Sequence, residues 1–354
     1  MTTSQPQRGR GAASNPPNRF SATRSEAVDD GWTQEVPATR ATEVRLETAR
    51  TVISRNDSPD LPFDRSLNPY RGCEHGCIYC FARPSHAYWG LSPGLDFETR
   101  LIAKRNLPEV LAAELGKPGY VCRPIAIGAN TDPYQPIERE HRLTRQALEI
   151  LLAHRHPATL TTRSALVLRD LDLLTRLAEQ RLIRVFVSLT TLDNDLKRVM
   201  EPRAAAPRAR LRTIATLHGH GVPVGVMTAP IIPMVNDMEL ERLLNAAHAA
   251  GARSAGYTFL RLPREVAPLF EEWLALHFPE RAEHVMSLVR QSREGKDYDS
   301  RFGQRLRGEG PFADLLAQRF RLAVRKLGLN RRNDEQQRLD CSRFCPPGRQ
   351  LGLL

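Results

Sequence analysis

From about residue 66 onward, short apolar runs alternate with segments whose apolar residues recur at helical spacing. Six apolar runs bounded by polar or turn residues predict strands at 66–72, 125–130, 158–163, 184–190, 223–231 and 254–262. Between them, apolar positions recur at i, i+4, i+7 and i+8, as in Leu143, Ala147, Ile150 and Leu151. This alternation indicates an α/β fold with a parallel sheet, either an open doubly wound sheet or a partial barrel of six β/α units.

The two ends of the chain lack this alternation. Residues 1–60 have no sustained apolar period, which predicts a mostly flexible basic and polar tail whose last ten residues join the fold. A strap that packs through Trp32, Val36 and Val44 is the alternative. After about residue 263 the pattern becomes helical. The predicted domains are therefore a tail over 1–60, an α/β core over 61–265, and a helical basic extension over 266–354.

Composition and charge narrow the classes of partner. With 41% hydrophobic and 26% charged residues, most of the 354-residue chain should be globular. Lysine plus arginine (51) exceed aspartate plus glutamate (40) by 51 − 40 = 11, a surplus that favours an acidic partner such as DNA or RNA. Residues 281–354 hold 16 basic and 9 acidic side chains, which form either a phosphate-contacting surface or a solvated helical face.

The sequence shows no apolar run of about 18 residues and no apolar signal region at its start. We therefore expect a cytoplasmic protein without a membrane span, in which thiols stay reduced. Clustered cysteines in such a chain indicate metal binding or catalysis rather than disulfides. The six cysteines are Cys73, Cys77, Cys80, Cys122, Cys341 and Cys345.

The first three cysteines form a Cys-x3-Cys-x2-Cys motif directly after the first predicted strand. Gly72 and Gly76 permit the tight loop that convergence of three thiolates on one metal centre requires. Thiolates select zinc or iron–sulfur clusters. A structural zinc ion needs a fourth ligand, for which His75 and His86 are the candidates. A four-iron cluster held by three cysteines instead leaves one iron open for a substrate or cofactor.

With Tyr79 just before the third cysteine, the motif resembles the signature of the radical S-adenosylmethionine (SAM) superfamily. The resemblance implies a 4Fe-4S cluster on Cys73, Cys77 and Cys80, with SAM on the open iron and Tyr79 near its adenine. It implies a partial (β/α)6 TIM-like barrel and an electron donor such as flavodoxin or ferredoxin. The implied reaction is reductive cleavage of SAM to methionine and a 5′-deoxyadenosyl radical, which would attack a substrate that the sequence does not identify.

Other segments resemble the branch of that superfamily that includes spore photoproduct lyase and is often labelled DNA repair photolyase. They are 68–73 (NPYRGC), 130–136 (NTDPYQP), 190–193 (TTLD) and 229–233 (APIIP). This likeness makes lyase chemistry on a nucleic acid one candidate activity. It does not extend to that lyase's hydrogen donor, a cysteine at the end of the second strand. Here Cys122 comes several residues too early, and we expect it to be a small, partly buried hydrophobe.

Polar residues at predicted strand ends are further candidates for cofactor binding, because the carboxyl ends of barrel strands face the active site. By resemblance, Asn130 and Asp132 would meet the methionine end of SAM; the alternative is an Asx turn before Pro133. Arg163 either clamps the cofactor carboxylate or is a surface arginine. Ser188 either contacts the ribose or is a satisfied core hydroxyl. No catalytic residue beyond these is assigned.

Three further features are expected to be structural. Residues 201–203 (EPR) favour a solvated loop over an ion pair near the mouth of the barrel. Asn236 and Asp237 are interpreted as a helix cap. Cys341 and Cys345 are expected to be thiols of a loose C-terminal tail, with a metal or redox pair as the alternative.

Two functional hypotheses follow. The first is a radical SAM enzyme of unknown substrate, for which a nucleic acid is one candidate. The second is a zinc-binding module that binds nucleic acid without catalysis, which would be colourless and destabilised by chelators. The second explains poorly why six β/α units accompany one small metal site. Neither predicts the oligomeric state.

Overall fold

The computed structural model of the protein describes residues 7–20, 41–331 and 338–346. In chain order the strands are β1 (Glu43–Glu47), β2 (Ile53–Arg55), β3 (Arg65–Leu67), β4 (Tyr70–Arg71), β5 (Arg100–Lys104), β6 (Ile125–Ile127), β7 (Ala158–Thr162), β8 (Ile183–Ser188), β9 (Val224–Ile231) and β10 (Ser254–Phe259). The α-helices are α1 (Asp96–Thr99), α2 (Leu107–Leu115), α3 (Glu138–His141), α4 (Leu143–Ala153), α5 (Leu171–Glu179), α6 (Asn194–Met200), α7 (Pro207–Gly219), α8 (Leu240–Ala249), α9 (Val266–His277), α10 (Ala282–Gln291) and α11 (Pro311–Leu327). Short 3₁₀ helices occupy Arg83–Trp89, Ala165–Asp170 and Asp237–Glu239.

The main sheet has the order β10-β9-β8-β7-β6-β3-β2, and every neighbouring pair is parallel except β2 with β3. Its parallel strands correspond to the six that the apolar pattern predicts, with helices in the connections between them. Within the described residues the outer strands β10 and β2 are not paired with each other, so the sheet is not closed. The α/β class with a partial barrel is therefore confirmed.

The first predicted strand, 66–72, is interrupted. Pro69 has no N–H to donate, and the chain leaves the main sheet after β3. It re-enters as β4 in a second sheet of order β1-β5-β4, in which β4 runs antiparallel to β5. This switch of sheet carries the chain over the carboxyl edge of the barrel strands, where the cysteine motif begins.

The core lies between the main sheet and its helices. Leu160, Val185 and Val226 on the strands are fully buried, as are Leu148 on α4 and Leu174 on α5. Burial of each such side chain stabilises the fold by about 1.5–3 kcal/mol. The carboxyl ends of β6 to β10 are thereby held on a rigid scaffold.

The described part of the N-terminal region differs from the expected flexible tail. Arg10 and Ala12 are buried, β1 pairs with β5, and β2 pairs with β3. These contacts are made largely by backbone groups and by polar side chains, which leave no apolar period in a sequence. Residues 1–6 and 21–40 lie outside the described residues, and with them Trp32 and Val36 of the alternative strap. The predicted domain boundaries stay predictions.

The C-terminal region is helical, as its pattern indicates, and α11 packs against α8. The expectation of a loose tail around Cys341 and Cys345 is wrong for residues 338–346. The Cys345 N–H donates to His154 O at 2.9 Å, and Phe344 packs edge-on against His156. Among the described residues, none of the helices combines the length and apolar character that crossing a bilayer requires.

Candidate active site

The three cysteines of the motif lie on one loop, residues 72–80, between β4 and the 3₁₀ helix Arg83–Trp89. The Cys73 N–H donates to Phe97 O at 2.8 Å, which ties the start of the loop to α1. Gly72 and Gly76 adopt φ values of +73° and +66°, in the left-handed region that favours glycine. A side chain at Gly72 would also lie 2.8 Å from Phe97 O. The loop can therefore close only with glycine at these turns.

Cys73 and Cys77 are buried, and Cys80 is half-buried. Burial raises the pKa of Cys77 to about 12, and burial likewise raises the pKa of Cys73. A thiolate at these positions is therefore stable only beside a strong positive charge, which a bound metal centre supplies.

Tyr79 is also buried, and its hydroxyl donates to Glu201. The fully buried Glu201 carboxylate also accepts from Arg210, from Thr190 Oγ1 at 3.0 Å and from Arg163 Nε at 3.3 Å. Burial by itself would raise the pKa of Glu201, but Arg210 and Arg163 outweigh it and lower the pKa to about 2. Glu201 is therefore an anion that joins Tyr79 to two arginines.

The expectation of a solvated loop at 201–203 is thus wrong for Glu201. The sequence does contain a signal that Arg210, the partner of Glu201, is buried. Arg210, Thr213, Ile214 and Leu217 recur at i, i+3, i+4 and i+7, so the arginine lies on the buried face of α7. An arginine on an apolar face requires a buried counter-ion, and Glu201 provides it.

Asp132 is buried at the carboxyl edge of β6, and its oxygens are used within the protein. They accept from Thr162 Oγ1 at 2.7 Å, from the Arg163 N–H at 2.7 Å and from the Tyr134 N–H at 2.9 Å. The last bond is the Asx turn of the alternative interpretation. His75 Nδ1 lies 3.3 Å away. Burial would raise the pKa of Asp132, but His75 and these donors lower it to about 2.

The remaining candidates lie at the same edge of the sheet. Asn130 is exposed after β6, and its N–H donates to Asn68 Oδ1 at 3.0 Å. Arg163 follows β7, with its side chain about 24% exposed and its guanidinium 5.9 Å from the centre of the Tyr79 ring. Ser188 ends β8, and among the described residues its buried hydroxyl finds no hydrogen-bond partner. An unsatisfied buried hydroxyl costs stability and is available to a ligand.

A model of the Radical SAM superfamily matches residues 67–247, just over half of the chain. The chain belongs to the radical SAM superfamily. It is 38% identical to the uncharacterized protein Rv2578c of Mycobacterium tuberculosis over 232 residues, which cover 65% of this chain and 68% of that protein. It is 29% identical to the uncharacterized protein MJ0683 of Methanocaldococcus jannaschii over 178 residues, 49% of this chain and 62% of that one.

Among solved structures, this radical SAM protein is similar to spore photoproduct lyase complexed with dinucleoside spore photoproduct. The TM-score is 0.60 at 16% identity, and the match covers 81% of this chain and 80% of the lyase chain. A point mutant of spore photoproduct lyase gives a TM-score of 0.60 at 17% identity with the same coverage. At this identity the likeness establishes the fold. It confirms the expected structural relation to spore photoproduct lyase.

The three cysteines of the motif supply three thiol ligands on one loop. Among the described residues, the sulfurs of Cys73, Cys77 and Cys80 do not all lie within 4.8 Å of one another. A tetrahedral zinc ion with bonds of about 2.3 Å would bring its sulfur ligands to about 3.8 Å. A four-iron cluster places each cysteine on a separate iron, so its sulfurs lie further apart. The donor set of three thiols on one loop fits the cluster of the radical SAM superfamily.

The two candidate fourth ligands for zinc have other roles. His75 lies against Asp132, and His86 Nε2 is 3.0 Å from Arg100 O. Burial lowers the pKa of His86 to about 4, so it stays neutral as it packs edge-on against Phe97. Neither histidine joins the cysteines in a group of three close ligands among the described residues. Both candidate zinc ligands therefore have partners other than the cysteines.

Gln135 is a site residue that the sequence analysis missed. Its fully buried side chain donates from Nε2 to Gly72 O at 3.1 Å and accepts the Glu74 N–H on Oε1 at 3.0 Å. It thereby fixes the backbone on both sides of Cys73. The sequence indicated a role for Gln135 only through its position in segment 130–136, which resembles the spore photoproduct lyase branch.

The Asn236 side chain has a role other than the predicted helix cap. The Asn236 side chain does not cap a helix; it accepts the Ile232 N–H at 2.7 Å and donates to Thr190 O at 2.8 Å. It therefore ties the end of β9 to the segment after β8. Cys122 precedes β6 and lies at the amino edge of the sheet, opposite the cysteine loop.

Proposed function

We propose that this radical SAM enzyme holds a 4Fe-4S cluster on Cys73, Cys77 and Cys80 and binds SAM at the open iron. The observation that carries the proposal is three thiols on one loop, two of them buried, at the carboxyl edge of a superfamily barrel. Cys73, Cys77 and Cys80 would hold the cluster, which would supply the electron for reductive cleavage of SAM to methionine and a 5′-deoxyadenosyl radical. We place the enzyme in the cytoplasm, with a flavodoxin or ferredoxin as electron donor.

The chain's own residues would bind and orient SAM. The partly exposed Arg163 guanidinium can bind a carboxylate through two parallel hydrogen bonds. The ion pair with Glu201 holds the guanidinium in position. The unpaired Ser188 hydroxyl can bond a ribose hydroxyl. Asn130 is exposed after the end of β6, at the same edge of the sheet. Asp132 has its oxygens engaged, so we assign it to positioning the β7 end and His75.

The assignment of SAM cleavage is tested with Cys77→Ala. Wild-type protein reconstituted anaerobically with iron and sulfide, then reduced with dithionite, should convert SAM to 5′-deoxyadenosine and methionine in chromatographic assays. The variant should form neither product. The matched control is Cys122→Ala, at the opposite edge of the sheet, which should retain cleavage. Cleavage by Cys77→Ala at the wild-type rate would overturn the assignment.

We further propose that the substrate is a nucleic acid. Support comes from the surplus of 51 − 40 = 11 positive charges and from the fold shared with an enzyme solved with a dinucleoside photoproduct. At the mouth, Phe81 is 40% exposed directly after Cys80, and the Arg261 guanidinium lies 4.8 Å from its ring centre. Arg261 Nη2 also donates to Tyr298 Oη at 3.3 Å. Nucleobases stack on such aromatic–arginine pairs, for about 1–3 kcal/mol per base.

Binding of a fluorescent single-stranded oligonucleotide at several salt concentrations tests this substrate class. The dissociation constant should rise steeply with salt, because bound phosphates release counterions. Arg261→Ala should weaken binding by about 0.5–1 kcal/mol, the loss of the cation beside the Phe81 ring. The control is Arg123→Ala, an exposed arginine at the opposite edge of the sheet, which should have little effect. Absence of binding at low salt would remove the nucleic-acid assignment without affecting the cluster.

A further inference from the structure

The N-terminal segment, residues 7–20, lies outside the stretch that matches the superfamily, yet it packs against the cysteine loop. The Gly11 N–H donates to Glu98 Oε2 and the Ala12 N–H donates to Glu98 Oε1, both at 2.9 Å. Arg10 Nη1 donates to Glu98 O at 3.0 Å. One carboxylate therefore receives two consecutive backbone donors from a segment far away in the sequence.

The same carboxylate is connected to the cysteine loop through Arg83. Both side chains are fully buried, and Arg83 Nη2 donates to Glu98 Oε1 at 2.5 Å. Arg83 also donates from Nε to Cys77 O at 3.0 Å and from Nη2 to Gly76 O at 3.3 Å. A continuous buried network thus runs from Gly11 and Ala12 to the backbone of the loop.

The segment also touches the loop directly. A Cβ atom on Gly11 would lie 1.8 Å from Gly76 O, which no side chain can tolerate. A Cβ atom on Gly76 would in turn lie 2.7 Å from Glu98 Oε2. Segment, loop and carboxylate are therefore packed so closely that none can shift without moving another.

Independent bonds hold the rest of the segment in place. Asn15 and Asp96 exchange two hydrogen bonds of 3.0 Å, Ser14 Oγ donates to Glu272 at 2.7 Å, and Arg19 pairs with Glu265 at 2.8 Å. Glu272 lies on α9, and Glu265 lies just before it. The segment consequently has a near end at the cysteine loop and a far end at α9, which can be perturbed separately.

We propose that residues 10–12, acting through Glu98 and Arg83, are a positioning element of the cysteine loop. They fix the carbonyls of Gly76 and Cys77, so that the three thiols are held in the arrangement that an iron–sulfur centre requires, and they cover the loop from solvent. The identity of the bound centre rests on the proposed function. The positioning itself is a property of the protein without metal and is tested there first.

The test compares Gly11→Ala with Ser14→Ala, which removes only the bond from Ser14 Oγ to Glu272 on α9. Hydrogen exchange of peptides covering residues 73–83 is measured on metal-free protein. Gly11→Ala should accelerate exchange of the loop amides about tenfold or more, because charge-assisted bonds to a buried carboxylate are lost. Ser14→Ala should leave the loop at the wild-type rate. Removal of residues 1–13, which takes away the same bonds without a steric clash, should reproduce the effect of Gly11→Ala.

A second readout is taken on reconstituted protein as the anaerobic rate of iron extraction by a chelator. Gly11→Ala and the truncation should lose iron about tenfold faster than wild type or Ser14→Ala, following the same opening equilibrium. Equal exchange in all four proteins would overturn the positioning role. Faster exchange with unchanged iron extraction would also overturn it. If wild-type protein takes up no iron, the proposed function fails, while the exchange data still decide the positioning role.

Discussion

Replacing Glu201 by glutamine is the sharpest perturbation that the structure offers, because the side chain keeps its shape and loses its charge and one acceptor oxygen. The carboxylate is fully buried against Arg210 and Arg163. Its pKa falls from the ordinary 4.5 to about 2, despite burial, because of those arginines. At about 1.36 kcal/mol per pH unit, that difference corresponds to about 3 kcal/mol of stability. Breaking a buried pair from one side costs about 3–5 kcal/mol, in agreement.

The sign of the pH dependence follows from the lowered pKa. The stabilisation is complete above about pH 4.5 and disappears as the pH falls through about 2, leaving less than half of it at pH 3. Urea denaturation of metal-free protein, followed by circular dichroism, should show Glu201→Gln about 3 kcal/mol less stable than wild type at pH 7. The difference should shrink by more than half at pH 3.

Asp195→Asn is the matched control. This carboxylate lies on α6 only six positions away, but it is about 82% exposed in its pair with Arg198. Exposed pairs are worth about 0.2–1 kcal/mol, so its loss should have little effect at either pH. If Glu201→Gln were as mild as this control, or if its cost did not change with pH, the buried anion network would be refuted.

Three further predictions concern single residues of the site. Gln135→Ala should destabilise the protein by about 1–3 kcal/mol in the same urea assay, because Gly72 O and the Glu74 N–H lose a buried partner. It should also lower the iron content of the reconstituted protein. Unchanged iron content would contradict the role of Gln135. Ser188→Ala should leave the free energy of unfolding within about 1 kcal/mol of wild type, since the hydroxyl has no bond to lose among the described residues. It should weaken SAM binding, measured by calorimetry, about fivefold. Equal affinity would remove Ser188 from the site. Cys122→Ser should leave the rate of SAM cleavage unchanged, and a loss of cleavage would place this thiol in the reaction.

The six parallel strands were predictable because strands covered on both faces appear as continuous apolar runs. The interruption between β3 and β4 was also encoded, at Pro69, but a proline shows only that pairing stops and not where the chain goes next. Such local signals define elements. They do not define which sheet an element joins.

The contacts that organise the site were less accessible to sequence reasoning. Residues 7–20 bind through backbone N–H groups, polar side chains and a glycine, so they resemble a flexible tail in composition. Glu201 stands in a polar stretch, and its burial depends on Arg210 and Tyr79, which reach it from two other elements. The cysteine motif was recognisable because its ligands are contiguous in the chain. Networks assembled from distant residues carry no comparable pattern.

Electron paramagnetic resonance of the reduced, anaerobically reconstituted protein, with and without SAM, tests the central claim most directly. The account predicts about four irons per chain and a reduced cluster signal that shifts on addition of SAM, because the cofactor binds the iron that the three cysteines leave open. Cys77→Ala should show neither the iron content nor the shift. A colourless protein that retains zinc after reconstitution would contradict the account.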